Sequence, residues 1–280
     1  MAAGQAQGPP QGGREGPPRP RRPARRLVAA TVTYERRGAA ALVTIDRPER
    51  RNAVDGPAAA ALLDAFEAFR ADDGARVLVL TGAGEQAFCA GADLKAIDTL
   101  DPDAPGGPLG FTRLASPKPT IAAVSGWCLA GGFELALWCD LRVATEDARF
   151  GFAERRWGVP LIDGGTQRLP RIVGQGRALD LVLSGRTVEA AEALAIGLVT
   201  EVVPAGAHVT RALEMAEGLA AFPQDTMLSD RRALLEGSGL PLADGLALEA
   251  KLGREVLATA LEGAARFAGG AGRSGSGTGV

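Results

Sequence analysis

The sequence predicts an α/β fold with a helical C-terminal region. Three observations carry this: short apolar runs bounded by turn residues, apolar-periodic helices between them, and a last third dominated by helical periodicity. Leu27 to Tyr34 and Ala40 to Ile45 are β-rich runs, split by Glu35–Arg36–Arg37–Gly38, which reads as a hairpin turn. Asp55 then caps a helix whose Ala59, Leu62, Leu63, Phe66 and Phe69 recur at helical spacing. Val77 to Leu80 is a continuous apolar strand ended by Thr81 and Gly82–Ala83–Gly84, and Thr120 to Val124 is another. Apolar runs without alternation mark strands buried on both faces. Gly131–Gly132 opens a short helix ending near Trp138, with strands following at Leu141 to Ala144 and Phe150 to Gly151. From about Gln167 the pattern is helical, interrupted around Val199 to Val203.

Both ends read as tails. Residues 1–26 are mainly Gly, Pro, Gln, Ala and Arg without apolar period, a composition that cannot offset ordering entropy. Residues 268–280 hold six glycines in thirteen positions, as flexible linkers do. Between them lies a core at 27–205 and a helical region at 206–267. Six arginines against Glu15 give the first 26 residues a balance of +5, which leaves −7 for the rest of a chain whose net charge is −2. Nucleic-acid binding wants a basic folded part, and this one is acidic. The basic tail reads as a solvated extension or as sequence upstream of the true start.

Cys89, Cys128 and Cys139 are sparse, odd in number and without paired spacing, which points to a reducing compartment and no disulfide framework. The N-terminus lacks a secretory h-region, and its prolines and glycines oppose the amphipathic helix of a transit peptide. Thr120 to Cys139 is apolar enough to mimic a membrane span. It nevertheless carries Glu134 and three glycines, with Asp140 and Arg142 close behind, so a buried strand–turn–helix fits better. The expectation is a cytoplasmic protein that binds neither membrane nor nucleic acid.

Three motifs carry chemistry. The run Phe88–Cys89–Ala90–Gly91–Ala92–Asp93–Leu94–Lys95 holds four small residues in succession, which let a ligand approach bare backbone N–H groups. In Gly126–Trp127–Cys128–Leu129–Ala130–Gly131–Gly132–Phe133–Glu134–Leu135, two glycines at a helix start leave unpaired amides at the positive end of the helix dipole. Glu134 sits in that first turn among apolar neighbours. It reads either as a dipole partner or as a pocket acid. In Phe150–Gly151–Phe152–Ala153–Glu154, the glutamate lies twenty residues after Glu134, across one strand, so both carboxylates can return to one pocket. Its competing reading is an ion pair with Arg155 or Arg156.

Together, and followed by Gly164–Gly165–Thr166–Gln167, these motifs resemble the signature of the crotonase (enoyl-CoA hydratase/isomerase) superfamily over about residues 27–267. The stretch Arg47–Pro48–Glu49–Arg50–Arg51–Asn52–Ala53 resembles that family's loop beside the CoA adenine. The resemblance implies a spiral of ββα units with a helical C-terminal trimerisation region, assembled as a homotrimer or dimer of trimers. It implies an acyl-CoA thioester substrate, no metal and no organic cofactor. The Ala92 and Gly131 N–H groups would form the oxyanion hole. Glu134 would activate water and Glu154 would pass a proton to the α-carbon. Retaining both acids favours an enoyl-CoA hydratase. The alternatives are an enoyl-CoA or dienoyl-CoA isomerase and a non-catalytic acyl-CoA binder. Arg50, Arg51, Ala53, Ala90, Asp93, Leu94 and Lys251 are the implied CoA and substrate contacts. Ala96, Ile97, Trp157 and Ile162 would line the acyl pocket, with Phe111 and Leu114 also where relatives contact the acyl chain.

The sequence departs from the family pattern twice. Relatives often use C-terminal lysines for CoA phosphates, whereas this chain has only Lys95, Lys118 and Lys251, and the stretch before Gly164–Gly165–Thr166 differs. Hydratases usually carry Pro-Gly before the Gly-Gly-Thr, and here Leu161–Ile162 stand there, followed by Asp163. Ile162 has the bulk to crowd a water, and Asp163 is either a third acid or the N-cap of the next helix. Gly82–Ala83–Gly84–Glu85–Gln86–Ala87 fits a dinucleotide fingerprint only if a helix follows, and Phe88 to Gly91 does not read as one. His208 is the sole histidine and reads as the approach to a surface helix, which opposes a Ser-His-Asp triad or a multi-histidine metal site. Trp127, Trp138 and Trp157 are expected to be packing residues.

Overall fold

The computed structural model describes residues 26–28 and 31–270. Of the expected tails, all but Arg26 and residues 268–270 lie outside the described residues. The chain runs β1 (Arg26–Val28), β2 (Val32–Arg37), β3 (Ala40–Ile45), α1 (Gly56–Ala71), β4 (Val77–Gly82), β5 (Ala87–Cys89), β6 (Thr120–Val124), β7 (Trp127–Leu129) and α2 (Gly131–Trp138). It continues through β8 (Leu141–Thr145), β9 (Arg149–Gly151), α3 (Gly165–Val173), α4 (Gln175–Ser184), β10 (Val188–Glu189), α5 (Ala190–Ala195) and β11 (Glu201–Val203). Four helices close it: α6 (His208–Ala221), α7 (Gln224–Gly237), α8 (Leu242–Glu255) and α9 (Leu257–Ala268).

A seven-stranded sheet has the order β1-β2-β3-β4-β6-β8-β11, and a four-stranded sheet the order β10-β9-β7-β5. From β3 to β11 the large sheet is parallel, as are β5, β7 and β9 in the small one. Each turn of the chain therefore contributes one strand to the large sheet and the next to the small sheet. In β6-β7-α2 and β8-β9-α3 a helix completes the unit, so the structure is a spiral of ββα repeats.

The apolar runs are continuous because the large sheet is covered on both faces. One set of alternate residues (Val43, Ile45, Leu78, Leu80, Ala122, Val124, Ala144) faces the main core with α1 and α2. The other (Ala40, Leu42, Val77, Val79, Ile121, Ala123, Val143) packs against Ala212 and Ala216 of α6. The opening hairpin turns at Gly38, later than the sequence predicts, and Glu35 to Arg37 pair with Ala40 to Leu42 as strand. Strands β5, β7 and β10 have at most three residues, too few for a period to register. His208 is buried at the start of α6, not on a surface approach. The fingerprint Gly82 to Ala87 leads into β5, which removes the helix a dinucleotide site requires.

Asp55 caps α1 as expected, its side chain accepting the Ala58 N–H. At the other end of α1, Lys118 Nζ donates to the carbonyls of Phe69, Asp72 and Ala75, each at 2.9 Å. These include helix-terminal acceptors that would otherwise be orphaned. Asn52, left-handed at φ +55° and buried, ties the 47–53 loop to the β4–β5 turn. Its Nδ2 donates to Ala83 O (3.0 Å) and Ala87 O (2.7 Å), and its Oδ1 accepts the Arg47 N–H (3.0 Å).

Replacing Asn52 by Ala removes the partner of three backbone groups at once, the Ala87 carbonyl buried and the other two partly so. Each costs roughly 1–3 kcal/mol when unpaired, so N52A is expected to lower unfolding stability by at least about 2 kcal/mol. Urea denaturation followed by circular dichroism measures it; a midpoint equal to wild type contradicts this account of the loop.

Candidate active site

The three motifs meet in one cavity of about 380 Å³. Ala90 and Ala92 come from the turn after β5, Ala130 and Gly131 from the turn into α2, Glu134 from the first turn of α2, and Glu154 from the turn after β9. Parallel pairing of β5, β7 and β9 places these successive strand ends side by side, which brings residues as far apart in sequence as Ala90 and Glu154 to one wall.

The two small-residue turns touch. Gly91 has φ +94°, and a Cβ built on it lies 2.8 Å from Ala130 Cβ and 2.9 Å from Gly131 N. Only glycine fits this crossing. Ala130 adopts φ +53°, a conformation that costs a non-glycine residue about 1–3 kcal/mol and recurs at functional sites. Its own N–H donates to Gly151 O at 2.9 Å, which holds the strained residue in place. Among the described residues, no acceptor takes the Ala92 or Gly131 N–H. Gly131 is the first residue of α2, so its amide also lies at the positive end of the helix dipole.

The loop at residues 47–53 is bolted to this wall. Ala90 N donates to Arg51 O (3.0 Å) and Val54 N to Gly91 O (2.8 Å). Arg50 and Arg51 are exposed beside it, and Ala53 is buried with its carbonyl accepting from Arg47. Arg47 also pairs with Asp55 (2.6 Å) and Asp93 (3.3 Å). Asp93 in turn accepts the Lys95 N–H at 3.1 Å. Asp93 is thus spent on holding the turn and does not line the cavity.

The acids differ in their surroundings. Glu134 is buried, and its Oε1 accepts the N–H groups of Asp163 (3.0 Å) and Gly165 (2.7 Å). A Cβ on Gly165 would meet Glu134 Oε1 at 3.0 Å, so the close approach needs glycine there. Burial raises the Glu134 carboxyl to about 7 against those amides, with Asp163 and Glu154 adding like charge. Glu154 is also buried and raised to about 7 by burial, and its Oε2 has no partner. It makes no ion pair with Arg155 or Arg156. Asp163 is a buried third carboxyl in the same wall, raised by burial. It does not cap α3: Gly164 occupies that position, while Asp163 Oδ1 accepts from Leu109 N (3.2 Å) and Thr112 Oγ1.

The remaining walls are apolar: Leu94, Ile97, Leu100, Pro102, Pro108, Leu109, Trp157, Val159, Pro160 and Ile162. Ile162 stands in the wall as its position implied, and its carbonyl accepts from Arg113 at 3.2 Å. Trp157 is 71% exposed at the rim, a lining residue and not a packing one, and Trp138 is buried. Ala96, Phe111 and Leu114 do not line the cavity. Phe111 instead stacks on Phe66 at 5.3 Å within the core. Lys251 is exposed on α8, away from the cavity wall. Sequence reading missed Leu109, Thr112 and the Val159–Pro160 wall, because an irregular loop carries no period. No cluster of metal-ligating side chains is present among the described residues.

Comparison with known proteins agrees with the geometry. A family model described as enoyl-CoA hydratase/isomerase matches residues 35–269. A probable enoyl-CoA hydratase of Rhizobium meliloti is 40% identical over 236 residues, covering 82% of this chain and 90% of that protein. A short-chain-enoyl-CoA hydratase of Clostridium acetobutylicum is 36% identical over 81% of this chain and 90% of its own length. The crystal structure of enoyl-CoA hydratase EchA1 from Mycobacterium marinum superposes with a TM-score of 0.81 at 37% identity, covering 86% of this chain and 96% of that one. With its ββα spiral, its touching glycine turns and these relatives, the chain belongs to the enoyl-CoA hydratase/isomerase family, the crotonase superfamily.

Proposed function

We propose that this protein is an enoyl-CoA hydratase that adds water across the 2,3-double bond of an acyl-CoA thioester. The observation that carries the reading is one cavity holding two unclaimed amides, of Ala92 and Gly131, together with two buried glutamates raised to about 7. The thioester oxygen accepts the two N–H groups, which are fixed before charge develops on it.

Glu134 and Glu154 divide the proton work according to their surroundings. Two N–H donors on Glu134 Oε1 favour its ionised form, so it takes a proton from water as the water oxygen bonds to C3. The π pair of the 2,3-double bond becomes the C1–C2 π bond of the enolate, and the carbonyl π pair moves onto the thioester carbonyl oxygen. An unpartnered buried oxygen disfavours an ionised Glu154, so it holds the proton that C2 receives as the enolate collapses. The water's hydroxyl ends on C3, and one proton has passed in net from Glu154 to Glu134. Exchange with solvent restores the pair. The step asks for no metal or organic cofactor.

The finer features of the reading have separate supports. Leu234, Leu242, Leu261 and Phe267, on helices α7–α9, are largely exposed, an apolar surface consistent with a homotrimer or dimer of trimers. Exposure of Arg50 and Arg51 beside the Ala90 turn supports their reading as partners of the CoA phosphates. The three buried, free cysteines accord with a cytoplasmic setting. No helix among the described residues is long and apolar enough to cross a membrane.

A second reading rests on Ile162, whose presence in the cavity wall favours a member that binds acyl-CoA without turning it over. Incubation with a panel of enoyl-, 3-enoyl- and dienoyl-CoA thioesters, with products separated and weighed, distinguishes the two. Hydration adds the mass of water, isomerisation moves the double bond without it, and an idle binder leaves the substrate unchanged. Glu134→Gln and Glu154→Gln are each expected to lower kcat by about 10²–10⁴-fold with acyl-CoA affinity nearly intact. Wild-type rates in both variants would overturn the acid assignment.

The pH profile follows from the same groups. Glu134 must be ionised, so activity falls as pH drops, and Glu154 must be protonated, so activity falls as pH rises. With both raised to about 7, kcat/KM should be bell-shaped and centred near neutrality, its limbs belonging to the coupled pair. A flat profile from pH 5 to 9 contradicts this.

A further inference from the structure

Asp163 is the buried cavity acid for which the proposed chemistry has no use. Its side-chain hydrogen bonds go to a neighbouring loop and to neither glutamate. Oδ1 accepts from Leu109 N (3.2 Å) and from the Thr112 hydroxyl, both on the loop between the Leu94–Thr99 turn and β6. Its backbone N–H donates to Glu134 Oε1 (3.0 Å), and its carbonyl accepts from Arg168 Nη1 (2.8 Å). Arg168 also donates to Thr112 O, so loop and acid are tied twice. Leu109 is buried and packs over the other half of the site: a Cβ on Gly131 would lie 2.6 Å from Leu109 Cδ1.

We propose that Asp163 is a positioning residue whose side chain seats Leu109 over Gly131 while its backbone orients Glu134, coupling the amide wall to the acid. The proposal rests on the hydratase reading for its kinetic consequence, though not for its structural one. Its carboxylate works as a double acceptor, and a neutral amide oxygen at the same place performs that task too. A group that exchanged protons with substrate would fail on the same replacement.

Charge supplies a second readout. Titratable groups facing Glu134 are Glu154 from the turn after β9, Asp163 itself and Arg168 from α3. Those facing Asp163 include Arg113 from the loop and Arg168. Removing the negative charge at 163 leaves Arg168 less opposed, so the Glu134 carboxyl ionises at lower pH.

The test compares D163N with D163A. D163N, which keeps an oxygen acceptor, should lose at most a few-fold in kcat and should shift the acid limb of kcat/KM to lower pH. D163A should lose about 10²-fold in kcat with KM little changed, the scale expected when a catalytic group is misplaced by about 1 Å. Crystal structures should show Leu109 displaced from Gly131 in D163A and retained in D163N. Equal, large losses in both variants would make Asp163 a proton-transfer group and overturn the proposal. So would wild-type kinetics in D163A, or an undisplaced Leu109. If the wild-type enzyme turns over no enoyl-CoA, the hydratase reading fails, while the two crystal structures still decide the positioning role.

Discussion

The site depends on one close approach: the turn after β5 and the turn into α2 cross where no Cβ fits. Gly91 lies against Ala130 and Gly131, and the hydrogen bond from the Ala130 N–H to Gly151 O holds the strained second turn in place. The approach brings Ala92 and Gly131 into the lining of one cavity, and among the described residues no acceptor takes either N–H. Fixed backbone donors need no reorganisation when charge develops, which is where such sites gain most of their effect. The ββα spiral supplies the crossing, because parallel β5, β7 and β9 deliver their C-terminal ends to one edge.

Around that crossing, burial does two opposed jobs. It lifts Glu134 and Glu154 out of the ordinary carboxylate range toward neutrality, where one proton can be shared and moved. The same desolvation demands partners for every polar group, and the structure meets the demand unevenly. Glu134 has two amide donors on one oxygen, whereas Glu154 has an oxygen with none. The proposed division of roles rests on this inequality more than on the count of acids. Structural cations sit elsewhere: Lys118 closes α1 on three carbonyls, and Arg142 is buried with its guanidinium on the carbonyls of Ala136, Cys139 and Leu198.

Much of this was legible in the sequence, and the parts that were not have physical reasons. Buried parallel strands declare themselves as apolar runs, so Thr120–Val124 and the helix at Gly131 emerge with their bounds intact. Asp55 as a cap follows from side-chain chemistry alone. The strands of the small sheet are too short to show alternation, and β10 was invisible. The acids and glycine turns stood out because small and charged residues in apolar surroundings are out of place. The loop carrying Leu109 and Thr112 did not, since nothing local distinguishes a loop that folds over a site from one that faces water. Asp163 was legible as an oddity, yet its work is done through a loop fifty residues earlier, which spacing cannot reveal.

In the proposed reaction the amides of Ala92 and Gly131 polarise the thioester carbonyl. The most direct measurement is the ¹³C chemical shift of an enoyl-CoA labelled at the thioester carbon, bound to the Glu154→Gln variant so that turnover is slowed. Two donors on the oxygen should move the resonance downfield from its position in free enoyl-CoA. A bound resonance at the free position would contradict the account.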